Sequence, residues 1–597
     1  MANQAFYEEK IRWYNNAIAA LKTQISLFGI LRLAVFVLCA LFVYYAFTKA
    51  PLPYAPLAVI FLIGFVILVR HAVRLNERRA LLKQLLFVNE NELQILNGGL
   101  NRFEEGKAFA GGTHYSDDLD IFGPRSLYHL LNRCSTSHGR ERLAAVLKQP
   151  LFSRDEIIQR QVAVSQLAPQ ADLRQLIAAY GLLHKEEEGN LYSVGQWLGS
   201  GEQLDKNRLL QAARWILPLY NIPCLLIYIA TDNFLYLLAG VALGWLITGR
   251  HLKYIHQQHQ LIGKKQEVLD QYADILKTFA SADAGRALLL QQLQQAAGNA
   301  YKSIGTLAKL SSFFDQRLNL LVNLFLNSIL LYDLHCIIAL EQWKRKHRED
   351  FPQWLQVVGD IECLNALASF AFNNPSFIFP AIAQGSAITI RMQQMGHPLI
   401  GEAERVSNDF DPGAATKLLL VTGSNMSGKT TFLRTLGVNL VLAQCGAPVC
   451  AASFEFSPMQ ILTSIRVSDS LQEHTSYFMA ELKRLQYIIE ALKEGQPALV
   501  LIDEILRGTN SEDKTYGSEQ YIMQLIRYNC ITLFATHDLA LATMEETHKG
   551  VIRNYCFESV IRNDALYFDY KLQKGVAKNK NASFLMKQMG IIGRGKV

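Results

Sequence analysis

The sequence predicts three kinds of architecture in one chain: an α/β domain over its last third, an all-α region ahead of it, and two helical hairpins apolar enough to cross a membrane. Three observations carry this prediction. An apolar run, Leu418–Val421, leads into the loop Gly423-Ser-Asn-Met-Ser-Gly428 and then into TFLRTLGVNLVLAQ, which has helical periodicity. Two later apolar runs, ALVLIDE (498–504) and ITLFATHD (531–538), read as buried parallel strands with polar ends. Two pairs of uncharged stretches, about 33–69 and about 215–248, are each split by a short turn-forming segment.

Residues 1–26 are charged and helix-like, and no cleavable signal is visible in them. Leu33–Phe47 carries no charge; after TKAPLPYAP an apolar run continues from Leu57 to Val69. With its flanks, each run approaches the roughly 20 residues that cross a bilayer. The second pair, Trp215–Ala230 and Phe234–Thr248, is split by Thr231-Asp232-Asn233. Basic residues crowd the opposite ends: Arg12, Lys22 and Arg32, then Arg70, Arg74, Arg78 and Arg79, then Arg214, Arg250 and Lys253. That bias predicts an inner (cytoplasmic) membrane protein with both termini and every large segment in the cytoplasm. A fifth run, Leu318–Leu331, carries Asn319, Asn323 and Asn327 at helical spacing and is followed by Asp333, which predicts a buried helix of the water-soluble part.

The net charge of +7, from 59 basic and 52 acidic residues, is small for 597 residues and demonstrates contact with neither nucleic acid nor lipid. The nine cysteines show no CxxC pair and no metal-ligand spacing with histidine, so they read as reduced structural thiols.

The chemistry sits at the predicted strand tips. Gly423, Ser424, Asn425, Met426, Ser427, Gly428, Lys429, Thr430 and Thr431 fit GxxxxGK[ST] in the strand–loop–helix context that the motif requires. Backbone N–H groups of such a loop and its helix face phosphates. Lys429 is placed to neutralise the β/γ-phosphates of ATP, and Thr430 to ligate Mg²⁺. Asp503 would hold Mg²⁺ through water, and Glu504 would polarise the attacking water as general base. His537 would sense the γ-phosphate. The order and separation of the three elements predict an ABC-type P-loop ATPase, a fold that closes its sites between two subunits, so a homodimer is expected.

These motifs resemble the MutS family of DNA mismatch-repair ATPases. The family's TGxNMxGKST is matched by Thr422–Thr431, its STFMxEM by Ser476–Leu482, its DEIGRGT by Asp503–Thr509 and its ATH by Ala535–His537. His397-Pro398 and Asn408 match two further landmarks, and Asn132–Gly139 carries the Asn-Arg-x-x-Thr-x-x-Gly pattern of the family's core. The resemblance covers most of residues 115–590 and is weakest from about 200 to 350. It implies a nucleotide role for Asn408, an adenine-side position for Arg405, and contact of Ser476 with the partner subunit's γ-phosphate.

Departures stand beside the matches. The first hairpin and a charged helix occupy the place of the family's mismatch-reading and connector domains, and the second hairpin interrupts the region of its DNA clamp. The expected organisation is an N-terminal helix and first hairpin (1–90), a helical core in two parts (91–205 and 256–385) around the second hairpin (206–255), and the ATPase domain (386–597). The expected function is a membrane-anchored ATPase whose dimer closes on ATP and acts on DNA in mismatch repair or recombination. The alternative is a membrane mechano-ATPase acting on membrane partners without nucleic acid. Arg133, Arg140, Arg142, Lys148 and Lys344-Arg-Lys-His-Arg348 are the basic residues offered to DNA, or equally to solvent or anionic lipid.

Overall fold

The computed structural model describes residues 2–49, 51–184, 186, 189–385, 387–424, 426–466, 477–506, 510–562, 565–578 and 591. It opens with an antiparallel pair of very long helices, α1 (Ala2–Thr48) and α2 (Pro51–Leu96). At 1.5 Å per residue each runs about 70 Å. Helix α2 starts at Pro51, well inside the segment read as a turn, because proline is tolerated in a first helical turn whose N–H groups have no partners anyway. The apolar halves expose Leu33, Phe36, Ile60 and Ile67, whereas the charged halves pack through Tyr14, Leu21, Leu75 and Leu82.

A helical region follows: α3 (Leu127–Leu131), α4 (Ser137–Lys148), α5 (Arg154–Leu167), α6 (Ala171–Leu182) and α7 (Asn190–Gly199). The second hairpin comprises α8 (Arg208–Thr231) and α9 (Leu235–Ile262), and α8 runs unbroken through Pro218 and Pro223. The region ends with α10 (Gln266–Ala280), α11 (Leu288–Asp315), α12 (Leu320–Leu330), α13 (Tyr332–His347) and α14 (Phe351–Asn373). Side-chain oxygens of Ser126, Thr136 and Ser153 cap α3, α4 and α5.

Among the described residues five helices are long and apolar enough to cross a membrane, α1, α2, α8, α9 and α14, and the bent pair α12–α13 is a sixth candidate. Helix α14 is apolar for a different reason: most of it is buried in the core against α4, α5 and α11. Helix α12 departs from the expected buried soluble helix. It packs on α8 and α9, where Ser328 Oγ accepts from the Trp245 indole, and leaves Leu324 and Phe325 exposed by 45% and 63%.

Two buried polar joints hold the helices together. Arg133 forks onto Glu92 of α2 at 2.8 and 2.9 Å; Asn373 at the end of α14 donates to the same carboxylate at 2.6 Å and accepts from Tyr7 of α1 at 2.8 Å. In the second joint the fully buried Glu362 of α14 accepts the N–H and hydroxyl groups of both Ser135 and Thr136. A Cβ on Gly139 would stand 2.0 Å from that carboxylate, so glycine is required there.

Several of the basic residues offered to DNA or to solvent have partners within the chain. Arg133 is in the buried joint, Arg140 pairs with Glu104, Arg142 with Asp360 and Arg345 with Asp205. Lys344 is buried and donates to Trp197 and Ser200, and Lys148 lies over the Phe122 ring. Each had a partner elsewhere in the fold that its local sequence does not announce.

The last third holds two mixed sheets. A four-stranded sheet has the order β1 (Ala381–Ile382), β5 (Ser453–Phe456), β2 (Ile390–Met395), β3 (Asn408–Phe410). A six-stranded sheet has the order β10 (Ala565–Lys574), β9 (Ile552–Arg562), β4 (Leu418–Gly423), β8 (Cys530–Thr536), β7 (Ala498–Asp503), β6 (Gln460–Ser464). Its strands are parallel except β10. Strands β4, β7 and β8 are buried throughout, as runs covered on both faces should be. The helices that matter below are α15 (Lys429–Gln444), α16 (Tyr477–Lys493) and α17 (Ser511–Leu525); α18 (Met544–Thr547) is a single turn. The helical region is bolted to this domain by Asp118, which accepts from Thr463, Ile465 N–H and Arg466 N–H, and by Asp120, which bridges Arg434 and Arg466.

Replacing Glu362 by Ala strips four donors of their common acceptor inside the core. The expected loss is about 3 kcal/mol, read as a lowered urea midpoint of the purified full chain in detergent. An unchanged midpoint would show that the joint is dispensable.

Candidate functional site

Strands β4, β8 and β7 are neighbours, so their carboxyl ends bring three separated segments to one edge of the sheet, where open α/β sheets form their crevice. The loop after β4 is tight. Gly423 has φ 155°, and a Cβ there would lie 2.8 Å from Ser427 Oγ and 2.9 Å from the Phe557 carbonyl. Gly428 has φ 104° and faces the Tyr570 ring. Met426 has φ 71° and is exposed. Lys429 opens α15, is buried, and its Nζ donates to the carbonyls of Gly423 at 2.7 Å and Ser424 at 3.0 Å. Ser427 Oγ is buried without a hydrogen-bond partner among the described residues. Thr430 Oγ1 donates to Asp503 Oδ2 at 2.5 Å, and Thr431 lines the same cleft.

Glu504 follows Asp503 directly and takes a left-handed φ of 54°, with its N–H bonded to the Ala535 carbonyl of β8. Its Oε1 lies 2.6 Å from Nδ1 of His537. Leu506, two residues on, also has a left-handed φ, 58°. Its buried side chain fills the space left by Gly517 of α17, where a Cβ would come within 2.6 Å. Burial of that side chain offsets a backbone strain of about 1 kcal/mol or more.

The cleft holds about 660 Å³. Its wall away from the strands includes His397, Arg405, Asn408 and Tyr570. Arg405 donates to the Ile400 carbonyl at 2.7 and 3.0 Å, with its guanidinium over the Phe377 ring. Asn408 donates to the Tyr570 carbonyl and accepts from Leu572 N–H, tying β3 to β10. Asn425 and Ser476 lie outside the described residues. Tyr570 was not singled out in the sequence: ALYFDYKLQK reads as an ordinary alternating strand. It reaches the cleft because a register shift between Phe568 and Leu572 puts it at φ 53°.

The arrangement suits a polyphosphate. The amino end of α15 and Lys429 present positive charge to the cleft. Thr430 and Asp503 present hard oxygens of the kind that would hold Mg²⁺. Among the described residues no three His, Cys, Asp or Glu side chains converge on a metal.

His397 carries a pH consequence. Burial, and then the Arg434 guanidinium, push its imidazole down to about 4, and its Nδ1 accepts from Leu399 N–H. The unfolded chain therefore takes up a proton below pH about 6.5 that the folded chain refuses until about 4. This contribution to stability is full above pH 6.5 and falls by about 3 kcal/mol across that window. In His397→Gln the acid-side decline of the denaturation midpoint should flatten between pH 6.5 and 4; a slope identical to that of the parent chain refutes this.

Comparison with known proteins agrees with the geometry. Residues 112–371 match the family model MutS domain III, and residues 419–591 match MutS domain V. MutS protein homolog 4 of Mus musculus is 35% identical over 204 residues, 32% of this chain and 21% of that protein. DNA mismatch repair protein MutS of Clostridium kluyveri is 31% identical over 245 residues, 40% of this chain and 27% of that protein. The same-named protein of Chlorobaculum tepidum is 30% identical over 243 residues, 39% of this chain and 27% of that protein. The chain thus spans about a quarter of the length of the curated relatives it matches. The two domain models together take in most of the chain, and they belong to one family: the chain is a member of the MutS family.

Proposed function

We propose that this chain is a membrane-anchored ATPase of the ABC-type P-loop class, in which ATP binding closes two copies and hydrolysis reopens them. The observation that carries this reading is the convergence of Lys429, Thr430, Asp503 and Glu504 on one cleft, with His537 from a third strand end hydrogen-bonded to Glu504. Lys429 swings from the loop carbonyls to the β/γ-phosphates. Thr430 and Asp503 would hold Mg²⁺, whose charge would offset that developing on the transferred phosphoryl group. Glu504 takes the proton of the attacking water, and His537, already beside it, orients the carboxylate and meets the γ-phosphate. Ser476 comes from the partner subunit, and Arg405, Asn408 and Tyr570 form the nucleoside side of the cleft.

The two apolar hairpins support anchoring in the cytoplasmic membrane, with the soluble bulk on the basic side. What the motor moves is read in two ways. The relatives named for DNA mismatch repair favour DNA as the load. The internal pairing of the candidate DNA-binding arginines favours a membrane partner, moved through the hairpins.

Glu504→Gln should lower ATP turnover by 100-fold or more and retain nucleotide binding; Lys429→Ala should lose binding itself. Survival of turnover in Glu504→Gln removes the general base from this account. For the load, ATPase rate in detergent is compared with and without homoduplex, mismatched and branched DNA. Stimulation by DNA that weakens with salt selects the DNA reading. Absence of both binding and stimulation at moderate salt selects the membrane partner.

A further inference from the structure

Helix α12 ends where helices in water seldom need help. It stops at Leu330, and Leu331, at φ 48°, turns the chain through 79° into α13. The carbonyls of Ser328 and Ile329 therefore lose their continuing helical donors. Both are taken by Nδ2 of Asn221, at 3.3 and 3.2 Å. Asn221 is fully buried and lies midway along the apolar helix α8. The N–H of Asp333, past the bend, is satisfied by Asn327 Oδ1 at 2.8 Å, and Ser328 Oγ by the Trp245 indole at 2.9 Å.

The seat for this helix is built into α9. Its apolar stretch contains Gly240-Val-Ala-Leu-Gly244, two small residues one turn apart that let backbones approach. A Cβ on Gly240 would lie 1.9 Å from Asn221 Oδ1, so that glycine seats α8. A Cβ on Gly244 would touch Leu331 and the carbonyls of Asn327 and Ser328, so that one seats the end of α12. The GxxxG face is thus used inside one chain. Helix α12 also exposes Leu324 and Phe325, and α8 and α9 expose apolar residues such as Leu226 and Leu246.

We propose that α12 is a third membrane-embedded element, which enters the bilayer beside the second hairpin, ends inside it, and turns back into the cytoplasmic core as α13. The partner of its Leu324–Phe325 face is the hydrocarbon of the bilayer. The inference rests on the membrane reading of the hairpins. Its physical ground is that hydrocarbon supplies no water to a broken helix, so its freed backbone groups are met by neighbouring side chains. Asn221, Asn327 and Trp245 meet the polar groups at this break and beside it. The elbow at Leu331 then joins lipid to lever directly, since α13 is buried in the helical core.

The test is spin-label accessibility in the full chain, carrying Cys39→Ala, in phosphatidylethanolamine/phosphatidylglycerol vesicles. Labels are placed singly at Phe325→Cys, at Phe36→Cys in the first hairpin and at Ile229→Cys in the second. The expected result is oxygen collision several-fold above nickel-chelate collision at Phe325, as at the two references. A nickel-accessible Phe325 beside oxygen-selective references overturns the proposal and leaves the hairpins in the membrane. Nickel access at all three overturns it together with the membrane reading. Asn221→Leu should raise label mobility at Phe325 and leave Phe36 unchanged; no change at Phe325 overturns the role given to Asn221.

Discussion

The structure depends on a single buried carboxylate shared by three elements. Glu92 of α2 is gripped by Arg133 and by Asn373, and Asn373 in turn holds Tyr7 of α1. An unpaired charge at this depth would cost several kcal/mol, so the partners cannot separate independently. The consequence is mechanical. The long hairpin, the start of the helical core and the end of α14 are thus tied at one point, and α14 is followed in sequence by β1 of the sheets that hold the cleft.

The cleft follows a different logic. Around the strand tips Met426, Glu504, Leu506 and Tyr570 all hold left-handed backbone without being glycine. Each such residue costs about 1–3 kcal/mol and persists only where its surroundings over-determine it. Here those surroundings are a buried parallel sheet covered by α15 on one face and by α16 and α17 on the other. Of these four, Met426, Glu504 and Tyr570 line the cleft, whereas Leu506 packs beside Gly517.

Much of this was legible in the sequence. The three strand tips were readable because parallel strands buried on both faces are nearly pure apolar runs, and because chemistry at their ends demands specific residues at short range. The hairpins were readable from length and the absence of charge. What stayed hidden depends on long-range partners. Arg133, Arg142 and Lys344 look like surface cations until Glu92, Asp360 and Ser200 are seen beside them. Tyr570 enters the cleft through a register shift that its own strand does not encode. The asparagines before Asp333 suggested a water-soluble helix, yet Asn327 serves a break and Ser328 faces a tryptophan of the hairpin.

The length of α1 and α2 has one more consequence. With the apolar half in a bilayer, about 30 residues of α1 remain as a straight cytoplasmic stalk, roughly 45 Å tall. Such a stalk sets a stand-off height. On the proposed membrane-anchored reading it would keep the nucleotide cleft within a thin layer that diffusion in the membrane sweeps in two dimensions. Two copies would then meet by lateral encounter, at a local concentration set by membrane area rather than cell volume, and with their clefts already at matching height.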